Sequence, residues 1–197
     1  MLHFNKAYAE KVILAPAAEF KLPTNLKMNR YGLALIHIDV EGIAPSMEFF
    51  RLGTDIDEIN GVRFNDKLHS GIRSKSYLIE FKGLPKGYYL FAIPTGTYQI
   101  DKVSAPYFNL PYIRTLEDDP RWRFRIYPRS FNYIGYLNIQ KERSHNKIDV
   151  KWLNRLFKDL GDIEPILSQQ DLQLPLKQSF GLYGDFDMEN LKQKEGS

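Results

Sequence analysis

Residues Gly83–Val103 read GLPKGYYLFAIPTGTYQIDKV, and the parsing of this stretch decides the fold. In its first half Tyr89, Phe91 and Ile93 alternate with Tyr88, Leu90 and Ala92, so a strand here is apolar on both faces. Such a strand is covered on both sides. Pro94 has no amide hydrogen for a ladder and Gly96 accepts the positive φ of a turn, so the strand ends at Pro94-Thr95-Gly96. Beyond it Tyr98 and Ile100 alternate with Thr97, Gln99 and Asp101, the pattern of a strand with one buried face. The two runs are expected to form the central hairpin of an antiparallel β-domain.

Toward the N-terminus, Tyr77, Ile79 and Phe81 alternate with Ser76, Leu78, Glu80 and Lys82, giving a further strand. Asn60-Gly61 is a tight-turn pair between Glu58-Ile59 and Val62-Arg63-Phe64. Met47–Leu52 reads as a strand. Tyr31–Val40 is a longer one, with Ala34, Ile36, Ile38 and Val40 on one face and His37 and Asp39 on the other. Residues 1–30 form a polar extension with one apolar patch, Val12-Ile13-Leu14-Ala15, stopped by Pro16, which reads as an edge strand or a segment packed over the sandwich.

Toward the C-terminus, Trp122, Phe124 and Ile126 point inward while Arg121, Arg123 and Arg125 point outward. Phe131, Tyr133, Leu137 and Ile139 make the inward face of the next strand, and Ile148 and Val150 return beside it across Ser144-His145-Asn146. The period then changes. Trp152, Leu153, Leu156, Phe157 and Leu160 recur at helical spacing, with Gly161 as a helix stop and a second short helix over Pro165–Gln170. From Asp171 the chain is polar, although Phe180, Leu182, Tyr183 and Phe186 give it docking residues. The expected plan is an extension over 1–30, a β-domain over 31–151, a helical segment over 152–170 and a polar tail over 171–197.

The spacing of Gly87, Leu90, Ile93, Pro94, Gly96 and Tyr98 resembles the hairpin of transthyretin-like or carboxypeptidase-regulatory-like β-sandwich modules. Phe124-Arg125-Ile126-Tyr127-Pro128, followed by Asn132–Leu137, is similar to the F-x-V-x-P-G-x-x-Y-I-G-x-L segment of uncharacterised bacterial envelope lipoproteins with that fold. Arg129-Ser130 departs from the pattern, standing where the family places a glycine turn. The resemblance covers the middle half of the chain. It implies a mainly β, prealbumin-like antiparallel sandwich of about seven or eight strands with one or two C-terminal helices. It also implies the periplasm or an outer-membrane lipoprotein. It carries no chemistry, because one fold serves many functions.

Composition bounds the rest. With 27 Lys and Arg against 24 Asp and Glu, the net charge of +3 does not call for a polyanion, and nucleic acid is not an expected partner. Twelve Tyr and 13 Phe suit β-structure. The absence of cysteine excludes disulfides and thiolate metal sites. Met1-Leu2-His3-Phe4-Asn5-Lys6 lacks the apolar core of a signal peptide. The resemblance therefore implies a removed export signal and a missing N-terminal lipid anchor as membrane tether; the residues alone leave the cytoplasm as the alternative.

No sequence motif commits the chain to a reaction. Among the histidines, His37 and Asp39 share a strand face and, with His69 from elsewhere, form one candidate catalytic set. Asp55–Gly61 misses the calcium-loop pattern, since Ile59 occupies the fifth position and the glycine comes one residue late. No metal or cofactor is expected. Arg121, Arg123 and Arg125, with Arg114 near them, form a row on a strand spaced by roughly 7 Å, able to meet anions or to blunt a sheet edge. Between Ser104 and Pro120 a long loop carries Tyr107, Phe108 and Tyr112, stiffened by Pro106 and Pro111. Aromatic residues on a stiff loop supply contact area at low entropic cost, so this loop and the arginines are the expected partner surface. The leading functional expectation is a non-catalytic envelope binding or structural module whose partner is another envelope protein or a glycan. The alternatives are an enzyme built on His37, Asp39 and His69, and a cytosolic adaptor that binds acidic partners through the arginine row.

Overall fold

A computed structural model describes residues 9–40, 44–52, 75–105, 112–115, 119–142, 147–170 and 172–180. In chain order the strands are β1 (Glu10–Val12), β2 (Ala15–Pro16), β3 (Tyr31–Val40), β4 (Ser46–Leu52), β5 (Ser76–Glu80), β6 (Gly87–Pro94), β7 (Gly96–Ala105), β8 (Tyr112–Thr115), β9 (Arg123–Ile126), β10 (Phe131–Glu142), β11 (Lys147–Leu153) and β12 (Leu176–Gln178). Among the described residues one α-helix, α1 (Leu156–Ser168), lies between the last two strands. The strands form two sheets, as expected for a mainly β sandwich with a C-terminal helix. One runs β1-β5-β4-β7-β8, with β9 also on β7; the other runs β11-β10-β3-β6-β2, with β12 also on β10. Most pairings are antiparallel, but β3 and β10, at the centre of the second sheet, are parallel.

The central stretch is not a hairpin. β6 pairs with β3 and β2, whereas β7 pairs with β4, β8 and β9 in the opposite sheet. Thr95 is an arch between the sheets: its amide donates to the Arg30 carbonyl at 2.9 Å, and Gly96 takes φ 141°. Tyr98 Oη reaches back to the Pro94 carbonyl at 2.6 Å and ties the arch down. Alternation reports which face is buried, and it is the same whether the neighbouring run lies beside a strand or across the sandwich from it. With both edges of β6 taken, β7 has nowhere to pair but the other sheet.

Between the sheets the core is aromatic. Ring centroids step from Tyr77 to Phe49 (5.4 Å), to Tyr98 (5.9 Å), to Phe124 (5.2 Å), to Trp152 (6.0 Å) and to Phe180 (5.1 Å). Ala34, Ile36 and Ile38 of β3 and Phe91 and Ile93 of β6 face these rings from the second sheet. The opposite face of those strands carries Leu33, Leu35 and Leu90, which are buried under α1 and the segments beside it.

Two bulges decide which residues reach which face. In β10 the register with β3 shifts between Tyr133 and Gly135. Phe131 and Tyr133 therefore face α1, while Leu137 and Ile139 face the sandwich interior, so the single inward face expected for these four residues is split in two. Gly135 takes φ 114°, and a Cβ there would stand 2.2 Å from Trp152 Nε1. In β7 the pairing jumps from Ile100 to Lys102, so Tyr98 and Ile100 share the interior with Val103 and Ala105.

At the N-terminal end the apolar patch does pack on the sandwich: β1 joins one sheet, β2 the other, and Val12 and Leu14 lie on the core between them. Expectations at the C-terminal end are corrected. Gly161 does not stop the helix, and Pro165 starts no second one; α1 runs through both. Gly161 has open space where a Cβ would be, and Pro165 is exposed, so neither is under packing pressure. Trp152 and Leu153, assigned to the helix by spacing, close β11 instead. The segment assigned to the tail contributes β12, and Phe180 bridges to Phe124 inside the core. The Asn60-Gly61 turn, the Asp55–Gly61 stretch and the Ser144-His145-Asn146 connection lie outside the described residues.

Candidate functional site

The arginine row is divided by local structure. Arg121 sits in a 3-10 turn, Pro120–Trp122, where Asp119 Oδ1 accepts from its backbone amide at 3.0 Å and Asp119 Oδ2 from its guanidinium at 2.8 Å. Arg123 and Arg125 do lie on β9. Arg123 Nε donates to Gln99 Oε1 at 2.7 Å, and Arg125 lies over the Tyr127 ring at 5.0 Å. The three side chains are thus committed to different neighbours. Tyr107 and Phe108 fall outside the described residues. Tyr112 and Arg114 are placed by backbone register on β8, opposite Ala105 and Val103 of β7.

The outer face of the second sheet holds a denser cluster. His37 on β3 pairs in register with Tyr136 on β10 and with Tyr88 on β6. Its imidazole centroid lies 4.3 Å from the Tyr88 ring and 4.8 Å from the Tyr136 ring. From above, α1 lowers Asp159, only 2% exposed, onto this layer. Asp159 Oδ2 stands 3.0 Å from His37 Nδ1 and accepts from Tyr133 Oη at 2.6 Å, with Arg155 one turn earlier at 3.8 Å. Asp39, the other residue expected to work with His37, turns elsewhere. It takes Lys86 Nζ at 2.6 Å and Tyr136 Oη at 2.7 Å, and Asn138 Nδ2 donates to the same tyrosine oxygen at 3.1 Å. His69 lies outside the described residues.

The electrostatics follow from this closeness. Burial alone would raise the Asp159 pKa, but the bonds from His37 and Tyr133 and the Arg155 charge outweigh it and hold the carboxyl below its usual range. Asp39 is also lowered: burial opposes ionisation, while Lys86 and Tyr136 favour it more strongly. The tyrosines move the other way. Burial, then bonding to Asp39, pushes Tyr136 up to about 12, and burial beside Asp159 raises Tyr133 and Tyr88 as well. The hydroxyls stay protonated and donate. The chemistry of the cluster is cohesive: carboxylates are answered by hydroxyls, an imidazole and cations, and α1 is clasped to the sheet. Among the described residues, no three His, Asp or Glu side chains converge in a metal site, and no helix is long and apolar enough to cross a membrane.

Sequence reasoning missed Asp159 as the keystone. The signal was present: a carboxylate stands in the apolar stripe that Leu156 and Ile163 define on α1, where a charge is out of place without a partner.

Beside the clasp the same face opens into an apolar groove of about 570 Å³. One wall is the side of α1 with Leu156, Leu160 and Leu167; the other is the returning segment with Leu172, Leu174 and Leu176; Phe131 of β10 also lines it. Phe157 stands at this groove with 93% of its surface in solvent. No family model, curated protein or solved structure matches this chain.

Proposed function

We propose that the protein is a non-catalytic binding module, working in the cell envelope as the sequence resemblance implies, and that it takes its ligand in the groove beside α1. The observation that carries this reading is Phe157, a large apolar side chain 93% exposed at the rim of a groove walled by leucines. Exposed apolar patches rimmed by polar groups mark binding surfaces, and the groove is within the usual size of a ligand site. The catalytic alternative has less support, since His37 and Asp39 answer different partners in a structural clasp. The adaptor alternative has less too, because the arginine row is spent on local contacts.

The test is the full chain titrated with Nile red, a neutral apolar dye. The wild type is expected to enhance dye fluorescence at saturable sites, and Phe157→Asp to abolish the enhancement with Tm unchanged within about 2 °C, as suits an exposed position. Equal dye binding by both proteins overturns the reading.

A further inference from the structure

The groove has one wall made of backbone as well as side chains. β12 pairs in parallel with β10, and its bonding is one-sided: the Phe131 amide donates to the Pro175 carbonyl at 2.9 Å, and the Ser179 amide to the Tyr133 carbonyl at 3.0 Å. In a parallel ladder this places Pro175, Lys177 and Ser179 toward β10, so the amides and carbonyls of Leu176 and Gln178 point away from it. Among the described residues no further strand takes that edge. The side chains alternate to match. From Leu174 on, Leu174, Leu176 and Gln178 line the groove and Pro175 and Lys177 do not; before it, both Leu172 and Gln173 line it. Among the described residues that line it, Glu164 on α1 is the one charged group.

From this juxtaposition we infer that the groove receives an extended peptide segment, which adds a strand to the outer edge of β12 and carries apolar side chains at alternate positions with one basic residue toward Glu164. Resting on the groove being the binding site, this names its ligand class. An extended chain meets Leu176 and Gln178 through main-chain hydrogen bonds, and its alternate side chains drop between α1 and the leucines, where Phe157 closes over them. An acyl chain or another featureless apolar ligand would fill the leucine-lined space but leave the backbone edge and Glu164 without a role. β12 is only three residues long, so two to four main-chain bonds are on offer, and affinity falls to roughly the 10–100 μM range.

The experiment uses the full-length protein and an array of synthetic decapeptides that alternate Val, Leu or Phe with Thr and carry one Lys. Binding is read by fluorescence polarisation. Each peptide is paired with a copy N-methylated at alternate amides and with a copy in which Lys is replaced by Glu. The inference expects array members to bind, N-methylation in one of the two phases to weaken them at least about tenfold, and the Lys-to-Glu change to weaken them several-fold. Glu164→Lys should reverse that last preference. Leu174→Asp should abolish binding of peptide and Nile red alike, while Glu164→Lys leaves Nile red unaffected. If Nile red binds and no peptide does, the peptide inference fails while the groove stands as an apolar site. Peptides that bind equally well with or without N-methylation, or with no dependence on residue 164, also overturn it. Absence of both dye and peptide binding removes the groove itself.

Discussion

The two faces of the second sheet make a controlled comparison, because the same strands β3, β6 and β10 build both. The inner face meets the other sheet with Ile36, Phe91, Leu137 and the aromatic ladder, and its burial is almost wholly apolar. The outer face meets α1 and the segments beside it, and it divides. At one end His37, Tyr133, Tyr136 and Asp159 form a polar clasp; at the other a leucine groove stays open. Apolar packing needs only area and shape, so two full sheets can close on each other without specific pairs. One helix covers less than a sheet, and it is anchored where it touches by directional bonds that set its position, leaving uncovered apolar surface beside it. Stability is concentrated inside, and specificity outside.

The largest effects should come from the inner face. Tyr98 and Phe124 are 0% and 2% exposed and stacked at 5.2 Å, so Tyr98→Ala or Phe124→Ala should each cost about 3–5 kcal/mol by chemical denaturation. Losses under about 1 kcal/mol at both would dissolve the contrast between the faces.

Gly135 tests the boundary between them, since the bulge there hands Tyr133 to the outer face and Leu137 to the inner. A side chain must cope both with φ 114° and with Trp152, whose Nε1 donates to the Ile134 carbonyl at 2.6 Å. Gly135→Ala should cost about 3 kcal/mol and disturb Trp152 fluorescence together with α1 docking. A nearly neutral substitution would mean that the two faces are set independently.

The clasp should matter less, and in a pH-dependent way. Asp159→Asn leaves His37, Tyr133 and Arg155 without their anion and should cost about 2 kcal/mol at pH 7. Because the folded-state pKa of Asp159 is held below the ordinary 3.8, its contribution is full above that value and fades as pH falls through the lowered one. The difference in urea midpoint between wild type and variant should therefore be constant from pH 7 to about pH 5 and shrink below about pH 4. A difference that grows on acidification would contradict the assignment of the carboxylate as the anion of the clasp.

The smallest effect has the opposite sign. Arg129 takes φ 49° at the turn into β10, a conformation in which L side chains are strained. Arg129→Gly should stabilise the protein by about 1 kcal/mol and change neither face, giving a baseline in differential scanning calorimetry. Destabilisation there would show that the arginine side chain contributes more than its backbone costs.

Much of this architecture was legible beforehand. The division of β3 into Ala34, Ile36 and Ile38 on one side and His37 and Asp39 on the other follows from period two and needs no partner to be known. The site was far less legible. Asp159 stands out in the apolar stripe of α1, but its partners are unnamed until β3 and β10 are placed beneath it, and Phe157 looks like a core residue until α1 is oriented and turns it outward.

The sequence by itself determined that the segments of β3 to β7 are strand and which face of β3 is apolar, because alternation is local and set by backbone geometry. Only the tertiary structure decided that Pro94-Thr95-Gly96 is an arch, that β10 changes face at Gly135, and that Asp159 meets His37 across 122 positions of chain. These depend on which edges are already occupied and on where one layer comes to rest on another. Pairing and burial are relations between distant segments, and a local pattern supplies one side of each relation without naming the other.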